Sequence, residues 1–272
     1  MIGLITRCKD EYFIKEFCDY YLNQGIDSIY VIDDDSNDKS IYEEIKDNAK
    51  ISILFDKNIM HKGSIHSLYK KIRLSYEWMI YVDVDEFITT KKHLNRTIKE
   101  ELEITFKKAD CIKIPWVMMS CNSIEKSPKS ILETNTTRWN HDLKHPNETY
   151  RKFRCRYKSI ESKSIFRPLY FESIRDHIPL HPTKKVKAYN GVTNKKMNIQ
   201  SFHSNLREKD IHNGYLLCYH YRIISKENCI NKIKNNEFYS KYQPEELLAT
   251  DYNEIYDETL KIKASKYRGQ LT

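Results

Sequence analysis

Residues 78–82, Trp-Met-Ile-Tyr-Val, run without a polar interruption into Asp83-Val84-Asp85-Glu86-Phe87. So short and continuous an apolar run suits a strand buried on both faces, as in a parallel sheet covered by helices. Side chains two apart on an extended chain point the same way, so Asp83 and Asp85 aim at one place. Two carboxylates side by side repel unless a cation lies between them. Hard divalent ions take oxygen ligands, often one or two carboxylates plus phosphate oxygens. The segment therefore predicts a buried strand whose carboxyl end can seat Mg²⁺ or Mn²⁺ beside a phosphorylated ligand. A solvated turn also fits the tripeptide taken alone.

The rest of the first half shows the same pattern. Residues 2–6, 28–32, 51–55 and 111–116 read as further strands. Phe13, Ile14, Phe17 and Tyr21 share one face of a helix that Asp10 can cap and that stops near Gly25. Ile65, Leu68 and Ile72 mark another helix over 64–76, and Thr97 with Glu100 forms a capping box ahead of Ile98 and Leu102. Strands alternating with helices imply right-handed crossovers and a mostly parallel central sheet, an α/β fold. Beyond residue 117 the periodicity weakens. Residues 120–150 read as a long polar loop, 163–170, 186–189 and 215–224 as strands, and the chain from about 225 as helical, with Pro244 at a helix start. One domain over 1–235 is expected, with a helical extension over 236–272 packed on it.

Charge narrows the ligand. The net charge is +8, but residues 144–234 hold 20 Lys and Arg against 7 Asp and Glu, while 1–143 hold 21 against 24. So basic a stretch favours an anionic partner, a nucleotide diphosphate or nucleic acid. Seven cysteines without a C-x-x-C spacing fit neither a disulfide framework nor a zinc site and read as core residues. No apolar run nears the ~20 residues of a membrane-spanning helix. The first residues read as a strand rather than a leader, so a cytoplasmic protein is expected. The sequons at 95–97 and 147–149 are then chance matches. The Lys, Asn, Ile and Tyr content suggests an AT-rich genome, such as that of a large virus or a bacterium.

In open α/β sheets ligands bind beyond the carboxyl ends of the strands. Three polar clusters fall there, at residues 7–11, 33–38 and 83–86. Asp33 or Asp34 can accept hydrogen bonds from a nucleobase or a ribose, while Asp38 reads better as a helix cap. Arg7 and Lys9 can meet phosphate, and Arg167 and Arg222 are weaker candidates. A nucleotidyltransferase is one alternative, but it would want a glycine-rich turn that six glycines do not supply. A basic nucleic-acid-binding protein is another; it lacks a binding motif and its first half is acidic.

In order, Lys9-Asp10-Glu11, Glu16-Phe17 with Gly25, the strand at 29–32 running into Asp33-Asp34-Asp35-Ser36-Asn37-Asp38, and Trp78 with Asp83-Val84-Asp85-Glu86-Phe87 resemble the GT-A glycosyltransferases of family 92. Those read K-N-E, E-W…G, an apolar strand into D-N-x-S-x-D, and W-hydrophobic-D-x-D-E-F. Later matches are Trp116 with Cys121-Asn122, Lys163-Ser164-Ile165-Phe166-Arg167-Pro168, and His220-Tyr221-Arg222 with Ser225. Asp10 replaces the usual Asn, Tyr21 a frequent His, and Ile224 the Lys before Ser225.

The resemblance implies a Rossmann-like GT-A sheet with C-terminal helices. It implies metal-dependent transfer of a hexose from a nucleotide sugar, often UDP-linked, to a glycan or other hydroxyl acceptor, with inversion. Mn²⁺ (or Mg²⁺) would bridge the diphosphate to the D-x-D. Asp85 would bind the ion directly, and Asp83 would reach the ribose or a metal-bound water. His220, or second His181, would complete the metal shell. The catalytic base would be Asp176 first, then Asp142 or Glu172, with Glu86 orienting its neighbours or binding acceptor. Trp139 is the better candidate for stacking on a sugar, ahead of Tyr150 and of Trp116, which reads as core. No nucleic-acid partner is expected.

Overall fold

Four parallel strands frame the molecule: β1 (Ile2–Cys8), β2 (Ser28–Asp34), β3 (Ile51–Asp56) and β4 (Trp78–Tyr81), laid side by side as β3-β2-β1-β4. The computed structural model describes residues 1–56, 63–176, 178–201, 203–236 and 238–268. After β5 (Glu86–Thr90), β6 (Cys111–Ser120) extends the sheet. β7 (Thr137–Arg138) and β8 (Cys155–Arg156) are two-residue strands. The long β9 (Ser159–Phe166) then inserts between β4 and β6, antiparallel to both. β6 therefore points the same way as β4. The central sheet is mostly parallel and flanked by helices, a mixed α/β fold.

The hairpin of β10 (Phe171–Ile174) and β11 (Pro179–Pro182) stands apart. β12 (Ala188–Asn190) joins β6 in parallel, and β13 (His203–Ser204) pairs with β9. β14 (Leu216–His220) links distant parts of the chain. It pairs in parallel with the far half of β6 and antiparallel with β5, bringing His220 opposite Glu86.

Helices cover the sheet because each carries one apolar stripe. α1 (Ile14–Asn23) buries Ile14, Phe17, Cys18, Tyr20 and Tyr21, and Gly25 at φ 85° turns the chain into β2. α2 (Gly63–Ile72) buries Ile65, Leu68, Tyr69 and Ile72 against the opposite face. α3 (Ile98–Ile104) begins at the predicted capping box: Thr97 Oγ1 accepts from the Glu100 N–H at 3.2 Å, and the Thr97 N–H donates to Glu100 Oε2 at 2.7 Å. Burying side chains such as Phe17 and Phe87 contributes roughly 1.5–3 kcal/mol each. No described helix is long and apolar enough to cross a membrane.

Three expectations need correction. Asp10 does not cap α1. It sits at φ 56°, and its carboxylate accepts from the Asn37 N–H at 2.6 Å and from Asn37 Nδ2 at 2.8 Å, tying the end of β1 to the loop after β2. The helix read over 64–76 stops at Ile72 and gives way to a 3-10 turn, Arg73–Ser75. Residues 120–150 are no open loop. They hold α4 (Ile131–Thr134), β7 and the start of α5 (Asn147–Phe153), with Ile131, Leu132 and Trp139 in the core. Elements of two to four residues are too short to show a period.

Farther on, α6 (Glu208–Asn213) precedes β14, and Ser225 caps α7 (Lys226–Asn235) by accepting from the Asn228 N–H at 2.9 Å. α8 (Pro244–Leu248) begins at Pro244 as read. β15 (Ile255–Tyr256) pairs with β7, and α9 (Thr259–Arg268) sends the buried Lys263 to Thr90 Oγ1 at 2.7 Å.

Candidate active site

At the carboxyl end of β4 the chain turns sharply. The Glu86 N–H donates to Asp83 O at 3.0 Å, and the Asp83 N–H donates to Glu86 Oε2 at 2.8 Å. This turn passes the chain into β5, whose partner β14 delivers His220. The Tyr221 N–H donates to Asp85 O at 2.8 Å, fixing β14 to the D-x-D backbone. Beyond the turn lies a cavity of about 320 Å³, rimmed by the ends of β1, β2 and β4 and walled by α7.

The two aspartates of the motif have different surroundings. Asp83 is held by permanent cations: Arg7 Nε donates to its Oδ1 at 2.8 Å and Lys163 Nζ to its Oδ2 at 2.9 Å. Lys163 comes from β9 with a fully buried side chain. It also lies 3.0 Å from Glu86 Oε2 and donates to Asp176 O at 3.1 Å. Burial pushes the Glu86 carboxyl upward against the pull of Lys163.

Asp85 instead faces an imidazole and one ammonium on a long side chain. Its Oδ1 lies 3.5 Å from His220 Nε2, and Lys232 Nζ donates to its Oδ2 at 2.7 Å. Burial raises the Asp85 carboxyl, but Lys232 and His220 outweigh it and hold the group well below the usual carboxylate range. Burial pulls His220 down to about 4, against the opposing charge of Asp85, so the ring is neutral near pH 7. Trp116 packs on that ring with centroids 4.3 Å apart. Glu11, beside Lys232, is pushed up by burial to about 7.

A divalent ion fits this donor set at one place. Asp85 Oδ1 and a neutral His220 Nε2 at 3.5 Å are too far apart for a good hydrogen bond, yet close enough to share one ion. Among the described residues no cluster of three or more His, Cys, Asp or Glu side chains surrounds it. The described residues thus offer two candidate ligands here, which would suit an ion that keeps water and phosphate oxygens as the rest of its shell. Asp83 has both oxygens engaged by Arg7 and Lys163.

The other residues singled out in the sequence separate clearly. Arg7, Lys9, Asp34 and Asp176 line the cavity, and Asp176 Oδ1 lies 3.4 Å from the Tyr81 hydroxyl. Asp33 does not reach it. Its buried carboxylate closes the loop after β2, accepting from the Tyr42 hydroxyl at 2.6 Å and the Ser36 N–H at 3.2 Å, and pairing with Lys39. Asp38 caps the short helix Lys39–Tyr42 as read. Arg167 lies elsewhere, 2.6 Å from Glu77 Oε1 and over the Trp78 ring. His181 and Glu172 line a separate groove beside α2, where His181 Nδ1 and Ser173 Oγ are 2.8 Å apart. Asp142 is exposed and accepts from the Glu208 N–H at 3.2 Å. Trp139, 1% exposed, packs among Phe153, Tyr252 and His145, so it cannot stack on a sugar; Trp116, equally buried, is a core residue as read and borders the cavity beside His220.

Sequence reasoning alone passes over Glu11, Lys163 and Lys232 as site residues. One signal exists for the wall. Asn228, Asn231, Lys232 and Asn235 fall at i, i+3, i+4 and i+7, a polar stripe on one face of α7 that turns toward the cavity.

Residues 68–263 match the family model for glycosyltransferase family 92. No curated protein matches the chain. Among solved structures, S. aureus TarS 1-349 is 10% identical at a TM-score of 0.38, covering 92% of this chain and 69% of that one. The same TarS fragment in complex with UDP is 11% identical at 0.39, covering 91% and 69%. HddC from Yersinia pseudotuberculosis is 12% identical at 0.36, covering 70% and 90%.

Proposed function

The chain belongs to glycosyltransferase family 92, and from that premise we propose that it moves a hexose from a UDP-linked donor to a hydroxyl of a glycan or other acceptor. A divalent ion, Mn²⁺ or Mg²⁺, is held by Asp85 and His220 in this reading. The observation that carries it is the pair itself: an ionised carboxylate and a neutral imidazole 3.5 Å apart, facing a cavity rimmed by cations.

Each side chain then has a task. Arg7 and Lys9 put positive charge where the diphosphate lies, and Asp34 accepts from the ribose or the base. Held by Asp85 and His220, a divalent ion would supply positive charge against the departing nucleoside diphosphate. Transfer breaks the bond between the anomeric carbon and the phosphate oxygen, whose electron pair leaves with the nucleotide. The acceptor oxygen forms the new bond to that carbon, and its proton passes to a carboxylate. Asp176 is the candidate base, because its carboxylate borders the cavity and Lys163 fixes its backbone. Attack from the face opposite the leaving group inverts the anomeric centre. Residues 1–235 carry most of this site, and the segment 236–272 adds Asn236, Phe238 and Tyr239 to the cavity lining and packs on the domain through β15 and Lys263.

The test is nucleotide release from a panel of UDP- and GDP-sugars, with glycan acceptors, in Mn²⁺ and in chelator. One donor class should turn over, and chelation should stop it. Release from no donor under any of these conditions would contradict the reading.

A further inference from the structure

We propose that Lys232 guards the ion seat, holding Asp85 until a nucleotide diphosphate arrives, so that the ion enters together with the diphosphate. This rests on the reading of Asp85 and His220 as ion ligands. β14 ends at His220, Ser225 caps α7, and two turns of that helix carry Lys232 back over the D-x-D. Its Nζ donates to Asp85 Oδ2 at 2.7 Å and to Arg222 O at 3.0 Å, and lies 4.0 Å from Glu11 Oε1. The side chain is only 12% exposed, so the ammonium has two hydrogen-bond acceptors, a further carboxyl group nearby and little water. Lys232 is the lysine that pairs with the one aspartate whose other oxygen faces the histidine; Lys163 and Arg7 pair with Asp83.

An ammonium and a divalent ion on the two oxygens of one carboxylate repel strongly where water is scarce. A lone ion must therefore displace Lys232 or bind against it. A diphosphate changes the balance, because its oxygens give Lys232 new acceptors and add negative charge beside the ion. Ion and nucleotide then bind with positive coupling, and the coupling is reciprocal: each raises the other's affinity by the same factor.

Paramagnetic resonance of free Mn²⁺ measures ion binding without turnover, and calorimetry measures UDP binding. In the wild-type protein, Mn²⁺ alone should bind weakly, and UDP should tighten it by a factor on the order of 10–100. Lys232→Gln should bind Mn²⁺ alone about tenfold more tightly and lose coupling to match. Lys232→Arg, which keeps the charge, should retain both wild-type properties. Wild-type protein that binds Mn²⁺ equally well with and without UDP overturns the proposal before any variant is made. So does a folded Lys232→Gln with wild-type ion affinity and coupling. Asp85→Asn separates the two levels: Mn²⁺–UDP binding that survives it removes the ion reading itself. Binding that needs Asp85 but ignores Lys232→Gln removes only the guard.

Discussion

The floor of the cavity and its wall are built from different parts of the chain. The floor comes from the ends of β1, β2 and β4, and its carboxylate Asp83 is locked by Arg7 and by a fully buried Lys163. The wall comes from β14 and α7, and the cation it offers to Asp85 sits on a long side chain at a helix face. In the proposed reading, one tripeptide thus contributes a fixed anchor and an exchangeable ligand. The two aspartates differ in their partners: Asp83 is neutralised by Arg7 and the buried Lys163, and Asp85 by Lys232 beside the His220 ring.

The largest effect should fall on the floor. Lys163→Met leaves the buried Glu86 without its cation and Asp83 with Arg7 alone, and should cost about 3–5 kcal/mol, read by denaturant unfolding. Wild-type stability in that variant would break the distinction between anchor and ligand. Asp176→Asn should leave the fold and UDP affinity unchanged and lower kcat by about 10²–10⁴, as expected for loss of a general base. A variant with unaltered kcat would move the base elsewhere.

Acid sharpens the comparison on the wall side. The His220 imidazole titrates near 6.5 when unfolded but only near 4 when folded, because burial disfavours its charge. His141, buried beside Arg138, is pulled lower still, to about 3. Between those limits the unfolded chain binds more protons, so stability should fall as pH drops from about 6.5 toward 4. His220→Gln should flatten part of that slope, and a slope that does not change would argue against a neutral buried ring. The smallest effect belongs to a cap remote from the site: Thr97→Ala should cost about 1 kcal/mol and leave nucleotide binding intact.

The legibility of the sequence divides along the same line. The floor lies in strands that alternate with amphipathic helices, so β1 to β4, the Thr97 box and the clusters at the strand ends are visible as periodicity and punctuation. The wall depends on the antiparallel pairing of β5 with β14, which joins residues more than a hundred positions apart and has no local signature. Glu86–Thr90 comes directly after a motif read for its carboxylates, and its role as a strand is hidden there. Trp139 misleads because its neighbours in sequence are polar, while its partners Phe153 and Tyr252 arrive from elsewhere in the chain. Asp33 and Asp34 cannot be told apart by type. Strand alternation sends Asp33 inward to Tyr42 and Ser36, while Asp34 lines the cavity.

Asp85, and not Asp83, carries the exchangeable ligand in this reading of the site. Calorimetric titration of UDP with and without Mn²⁺, on wild-type protein and Asp85→Ala, tests that claim most directly. Mn²⁺-dependent UDP binding is expected in the wild type, and its loss in Asp85→Ala, with the folded state retained. Unchanged affinity and unchanged Mn²⁺ dependence in that variant would contradict it.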